Sequence, residues 1–238
     1  MKKNRLVGKL STIPALIAAC IFAGTKDPGE TKGPYHPKID PSNFSNVVNN
    51  PYFPLVPGTT RIFREKDGGD TLESTVTVTH DTKVIMGVKC VVVHDVVTEE
   101  GELEEDTYDW YAQDKEGTVW YFGETTREMK GDGRVSSEGS WEAGVNGQPG
   151  IIMPAHPVPD APYRQEYSPG NAEDMGQVVA LHESVAVPFG TFTGCVQTKE
   201  WSMLESGSEK KWYAQGIGVI RIESTGGEVM TLISVKHK

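Results

Sequence analysis

The tetrapeptide Trp-Tyr-Ala-Gln occurs twice, at residues 110–113 and 212–215, and each copy runs into a glycine-bearing reversal and a second apolar strand. DWYAQDKEGTVWYFGE (109–124) and KWYAQGIGVIRIE (211–223) thus predict two β-hairpins of related design. Earlier landmarks repeat in the same order. His80-Asp81-Thr82 matches His182-Glu183-Ser184, then comes a strand bearing Cys90 or Cys195, then an acidic turn. Four landmarks in one order predict a duplicated supersecondary unit, about 71–127 and 180–224. A chain built this way must solve the problem of a sheet, not of a helix bundle.

The period supports that. From Thr60 onward apolar residues recur at every second position, the spacing of a half-buried strand. Strands are expected over 61–65, 71–80, 88–97, 118–127, 180–187, 190–201, 218–223 and 228–235. Val88–Val97 is almost continuously apolar, which predicts cover on both faces. Asn171–Val179 is the one segment with helical character, and it is short. The stretch 139–162 is rich in Pro and Gly but carries Trp141, Ile152 and Met153, which predicts an ordered loop packed on the body. The expected architecture is all-β: a single domain over 49–238, an antiparallel curved sheet, sandwich or partly open barrel of two related units. At most one or two short helices are expected.

If Gln113 faces Thr118 and Gln215 faces Gly218, the hairpins divide into two faces. Trp110, Ala112, Val119 and Tyr121 then match Trp212, Ala214, Val219 and Arg221 as a shared core face. The other face of the first hairpin holds Asp109, Tyr111, Trp120, Phe122 and Glu124. Three aromatic rings flanked by two carboxylates suit a sugar or another amphipathic ligand, so these residues form the candidate ligand-binding wall. The competing expectation is that this face packs under the 139–162 loop.

The first residues read as an address. Lys2, Lys3, Arg5 and Lys9 precede an apolar run, Leu10–Ala23, too short to span a bilayer comfortably, so 1–23 is expected to be a signal peptide. Ile17-Ala18-Ala19-Cys20 resembles a lipobox, with Cys20 the lipidation candidate; cleavage after Ala23 and an uncleaved anchor are the alternatives. Residues 24–48, rich in Pro, Gly and Lys, predict a tether. Export would place Cys90 and Cys195 in an oxidising compartment, as a disulfide or as two buried thiols.

Net charge is −10, with no basic stripe beyond the N-terminus, which argues against nucleic-acid binding. His80-Asp81, His94-Asp95 and His182-Glu183 offer metal-ligand types, but neighbours on a strand point to opposite faces, so no metal site is assigned. No GxSxG, P-loop or GxGxxG is present, and neither a catalytic residue nor a cofactor is assigned. The expectation is an exported, non-enzymatic cell-envelope protein that binds a small molecule, lipid, glycan or envelope protein. It would be an apolar-ligand carrier or a carbohydrate-binding module, meeting a membrane only through a lipid anchor. The alternative is an exported hydrolase using Asp109 and Glu124 as paired carboxylates.

NPYFPLVPGTT (50–60), DWYAQDKEGTVWYFGE and GSWEAGVNGQPGIIM (139–153) together resemble a family of exported prokaryotic β proteins, often predicted lipoproteins, without an assigned activity. The resemblance implies export and a β architecture. It transfers no functional residue.

Overall fold

A computed structural model describes residues 35–67 and 70–237. The leader and the Cys20 motif lie outside the described residues. The first strands are β1 (Val48–Asn50), β2 (Phe53–Leu55), β3 (Thr59–Asp67), β4 (Asp70–Ile85), β5 (Val88–Glu99), β6 (Glu102–Gln113) and β7 (Val119–Met129). Short strands β8 (Val135–Ser136), β9 (Trp141–Glu142), β10 (Gln148–Met153), β11 (Tyr163–Arg164) and β12 (Glu166–Tyr167) follow. The chain ends with β13 (Asp174–Val187), β14 (Gly190–Ser202), β15 (Glu209–Ala214), β16 (Gly218–Ser224) and β17 (Val229–His237). The only described helix is a 3-10 turn at Pro41–Asn43.

One antiparallel sheet runs β11-β13-β14-β15-β16-β17-β3-β4-β5-β6-β7-β10-β12. Two junctions turn this meander into a barrel-like sheet. The last strand pairs with β3, from Met230 against Glu65 to His237 against Thr59. The two ends of the path fall in one segment, 163–167: Tyr163 and Arg164 pair with β13, while Glu166 and Tyr167 pair with β10. Closing a sheet removes exposed strand edges and the association they invite. In this order β4–β7 and β13–β16 lie half a circuit apart, with β17 and β3 between β16 and β4.

The sheet encloses a core that includes Phe63, Val76, Val78, Val93, Tyr111, Tyr121, Tyr213 and Leu232. Burying each large apolar side chain contributes about 1.5–3 kcal/mol, so this interior is the main source of stability. The short β1–β2 hairpin packs Phe53 and Leu55 into the same core. Gln113 fixes it there, accepting hydrogen bonds from Asn49 N (2.8 Å) and Asn50 N (2.7 Å). Val88–Glu99 meets the expectation of two-sided cover over Cys90–Val93, all buried.

Three expectations change. Asn171–Val179 is not a helix: Asp174–Val178 pairs with Thr198–Ser202, and ladder partners outweigh weak local helical preference. The 139–162 segment is less loop than expected, because β9 and β10 pair with β7. Residues 35–48, assigned to the tether, lie on the body. There Tyr35 stacks edge-on against Tyr167 at 5.5 Å, and Phe44 contacts Phe122 at 5.7 Å.

Candidate functional site

The geometry of the first hairpin is decided by one extra residue. Asp109 pairs with Glu124, yet Tyr111 pairs with Tyr121, so Trp110 opposes both Phe122 and Gly123. This is a β-bulge, and it moves every residue beyond it to the other face. Gly123 makes it possible: its φ is +122°, and a Cβ there would sit 2.3 Å from the Trp141 carbonyl oxygen. Gln113 accordingly faces Val119 rather than Thr118. The second hairpin carries a bulge of its own. Trp212 faces Arg221 and Tyr213 faces Val219, while Ala214, not Gln215, faces Gly218.

The predicted wall is therefore split. Asp109, Tyr111 and Glu124 enter the barrel interior, joined by Tyr121, which the alternation had assigned to the opposite face. Tyr111 and Tyr121 stack at 4.7 Å, and Phe53 closes on Tyr111 at 5.3 Å. Trp120 and Phe122 leave the wall and pack against Phe44. Trp120 is half-buried, and its indole N–H donates to Asp114 Oδ2 at 2.9 Å. The other oxygen of Asp114 accepts from three backbone amides, of Glu116, Gly117 and Thr118. Asp114 and Trp120 thus hold the hairpin turn. No exposed aromatic strip exists at Tyr111, Trp120 and Phe122.

Inside, Tyr121 Oη lies 2.7 Å from Asp109 Oδ1 and 3.0 Å from Glu124 Oε2. Both carboxyls are sealed from solvent. Burial pushes both above the ordinary carboxylate range, and mutual repulsion with Glu105 pushes further; the Tyr121 hydroxyl pulls the other way. Glu166 belongs to the same group. It accepts from Trp141 Nε1 at 3.0 Å, and burial with the charges of Asp174 and Glu124 raises its carboxyl as well. Nearby, Thr107 Oγ1 donates to Glu105 at 2.7 Å, and Ser74 Oγ donates to Asp95 at 2.9 Å.

The matching region of the second unit is ionic. Lys211 Nζ sits 2.8 Å from Glu200 and 3.6 Å from Glu209. Glu200 also accepts from Thr198 Oγ1 (2.7 Å) and Tyr213 Oη (2.9 Å). Burial pushes the Glu200 carboxyl up, but the Lys211 charge and these donors outweigh it, and the group lies below its usual range.

The cavity beside Phe53, Phe63, Val93, Tyr111 and Tyr213 has a volume of about 30 Å³. That admits water but falls about tenfold short of a pocket for a small organic ligand. Among the described residues no group of three or more His, Cys, Asp or Glu is placed to hold a metal ion. The His-carboxylate neighbours stay apart; His94 instead stacks on Tyr108 at 4.2 Å and meets Asp106 at 2.7 Å.

Among the described residues, Cys90 and Cys195 are free, buried thiols. Cys90 on β5 and Cys195 on β14 are separated by β15, β16, β17, β3 and β4 along the sheet. Their neighbours Val91 and Val196 pair with the interior residues Tyr111 and Tyr213, so the sulfurs point outward on opposite sides. A disulfide requires Cβ atoms about 3.5–4.5 Å apart. Equivalent positions in a repeat are here far positions in space.

Sequence alternation missed Glu166 and Lys211 as interior polar residues, and placed Tyr121 in the core but on the face opposite Asp109 and Tyr111. The signal for Tyr121 is Gly123, an unpackable residue inside an aromatic strand, which is how a bulge announces itself.

No protein-family model matches the chain, and no curated protein matches it. Among solved structures, a predicted exported protein with a YmcC-like fold from Bacteroides fragilis is similar at 17% identity, over 78% of this chain and 98% of that one, with a TM-score of 0.46. No functional statement rests on a likeness of that strength.

Proposed function

We propose that this chain is an exported, non-catalytic protein of the cell envelope that binds a protein partner through its outer surface. The observation that carries this is the burial of Asp109, Tyr111, Phe122 and Glu124, the residues a ligand would have to reach. A carrier of apolar ligands needs a cavity of roughly 300 Å³ or more, and the interior cavity is about 30 Å³. A hydrolase needs its two carboxyls open to substrate, and Asp109 and Glu124 are sealed behind Tyr121, Trp141 and Phe53. A sugar platform needs an exposed aromatic face, and Tyr111 and Phe122 are fully buried. What is left for recognition is the outside of the sheet and its turns.

Export rests on the basic n-region and the apolar run before Ala23, and lipid anchoring on Cys20. Among the described residues no helix is long and apolar enough to cross a membrane. The test is expression of the full chain with its own leader in a bacterial host, with metabolic fatty-acyl labelling. The expected result is a processed chain in the envelope fraction whose label is lost in Cys20→Ser. A processed but unlabelled chain would place cleavage after Ala23. An unprocessed chain in the cytoplasm would overturn the proposal.

A further inference from the structure

A tyrosine hydroxyl carries one proton, whereas Tyr121 faces an oxygen of each of two buried carboxyls, at 2.7 and 3.0 Å. If Tyr121 donates to one, its remaining contact is satisfied only when the other carboxyl donates back. Two ionised carboxylates would leave one charge facing an oxygen lone pair in a site sealed from solvent, an unfavourable arrangement. We propose that Asp109, Tyr121 and Glu124 form a proton-sharing triad, so that the folded barrel takes up protons and is weakened as external pH rises.

The surroundings of the triad supply no alternative counter-charge. From β5 the nearest titratable group is Asp95; β6 contributes Glu105 and Tyr111; β12 contributes Glu166 and β13 Asp174. The carboxyls among these disfavour a second negative charge, while the Tyr111 hydroxyl pulls Asp109 the other way. Asp109 Oδ2 and the Tyr111 hydroxyl are both buried and make no hydrogen bond of strict geometry, although the Tyr111 hydroxyl lies close enough to Asp109 to favour its charge. The second unit shows the other solution to the same problem: at the position equivalent to Asp109 it places Lys211 and pairs it with Glu200.

The sign follows from linkage. A carboxyl held protonated in the fold but ionised in the unfolded chain makes folding take up a proton. Burial pushes Asp109 to about 8 from an ordinary value of 3.8. Its stabilising share is complete below the unfolded value, declines through that window and is gone above it. Glu124 moves in the same direction. For an exported protein this window spans the pH range met outside a cell.

The experiment is carboxyl 13C NMR titration of the full folded chain, with the resonances assigned by Asp109→Asn and Glu124→Gln. At least one of the pair is expected to stay protonated at pH 6.5, with the two titrations coupled; in Tyr121→Phe that coupling should shrink. Thermal unfolding of the wild type should release about one proton or more near pH 6, seen as a fall in Tm with rising pH that Asp109→Asn flattens. If both resonances titrate together near pH 4, the triad does not exist. The wild-type titration needs no variant, so a variant that fails to fold cannot rescue the idea. Failure here leaves the surface-binding proposal standing, because that depends on the burial of these residues and not on their protonation.

Discussion

Asp109 and Lys211 occupy the same position in the two hairpins, one residue before Trp110 and Trp212, and both are buried, one an acid and the other a base. Each is resolved locally. Lys211 has Glu200 at 2.8 Å, while Asp109 has the Tyr121 hydroxyl at 2.7 Å. The two hairpins differ in how they accommodate the buried group at this position.

Lys211→Met is expected to destabilise the protein by about 3–5 kcal/mol, because it strands a buried carboxylate. Urea unfolding would measure it. Adding Glu200→Gln should recover part of the loss, since the pair then goes together; a strictly additive double variant would show that the two do not interact.

The same pair sets the acid limb of stability. Glu200 lies below its usual range in the fold, so its contribution is present above the unfolded carboxylate pKa and is lost as pH falls through the folded one. Denaturation midpoints of the wild type should therefore drop below about pH 4.5. In Lys211→Met that limb should weaken or invert. An unchanged acid limb in the variant would contradict the assignment.

Gly123→Ala tests the bulge. The substitution would need a side chain at a φ of +122° and would place its Cβ 2.3 Å from a backbone oxygen. Strain of about 1–3 kcal/mol is the minimum expected, measured by chemical denaturation. Wild-type stability in Gly123→Ala would mean that Tyr121 does not reach the interior by this bulge.

Thiol chemistry tests the separation of the two units. In a Cys20→Ser chain, Cys90 and Cys195 should be unreactive while folded, and two thiols should label after unfolding without reductant. Burial pushes the Cys90 thiol up to about 12, against the favourable charge of Lys83, so slow labelling of the folded protein is expected. Recovery of no thiol in the unfolded, unreduced chain would restore the disulfide.

Period-two alternation made the strands legible, and the all-β class follows from it. Strand order was less so, because pairing of β17 with β3 joins residues far apart in sequence, and no local pattern carries that. The candidate wall was legible as a set of residues but not as a surface. Alternation keeps its phase only until a bulge, and the one at Gly123 sends Tyr121 inward and Trp120 and Phe122 outward. The helix expected near Asn171 failed for a related reason: a short segment takes the conformation of its ladder partners. Glu166 lay in a stretch with no period, where only tertiary contact with Trp141 gives it a place.

The central claim is that the barrel is filled by its own side chains and carries no cargo. Titrating the folded full-length chain with an environment-sensitive fluorescent fatty acid tests it most directly. The expected result is no saturable signal and no stabilisation, because the cavity beside Phe53, Tyr111 and Tyr213 is about 30 Å³. Saturable one-to-one binding that raises Tm, as a specific ligand must, and that is lost on filling the cavity with Val93→Phe, would contradict it.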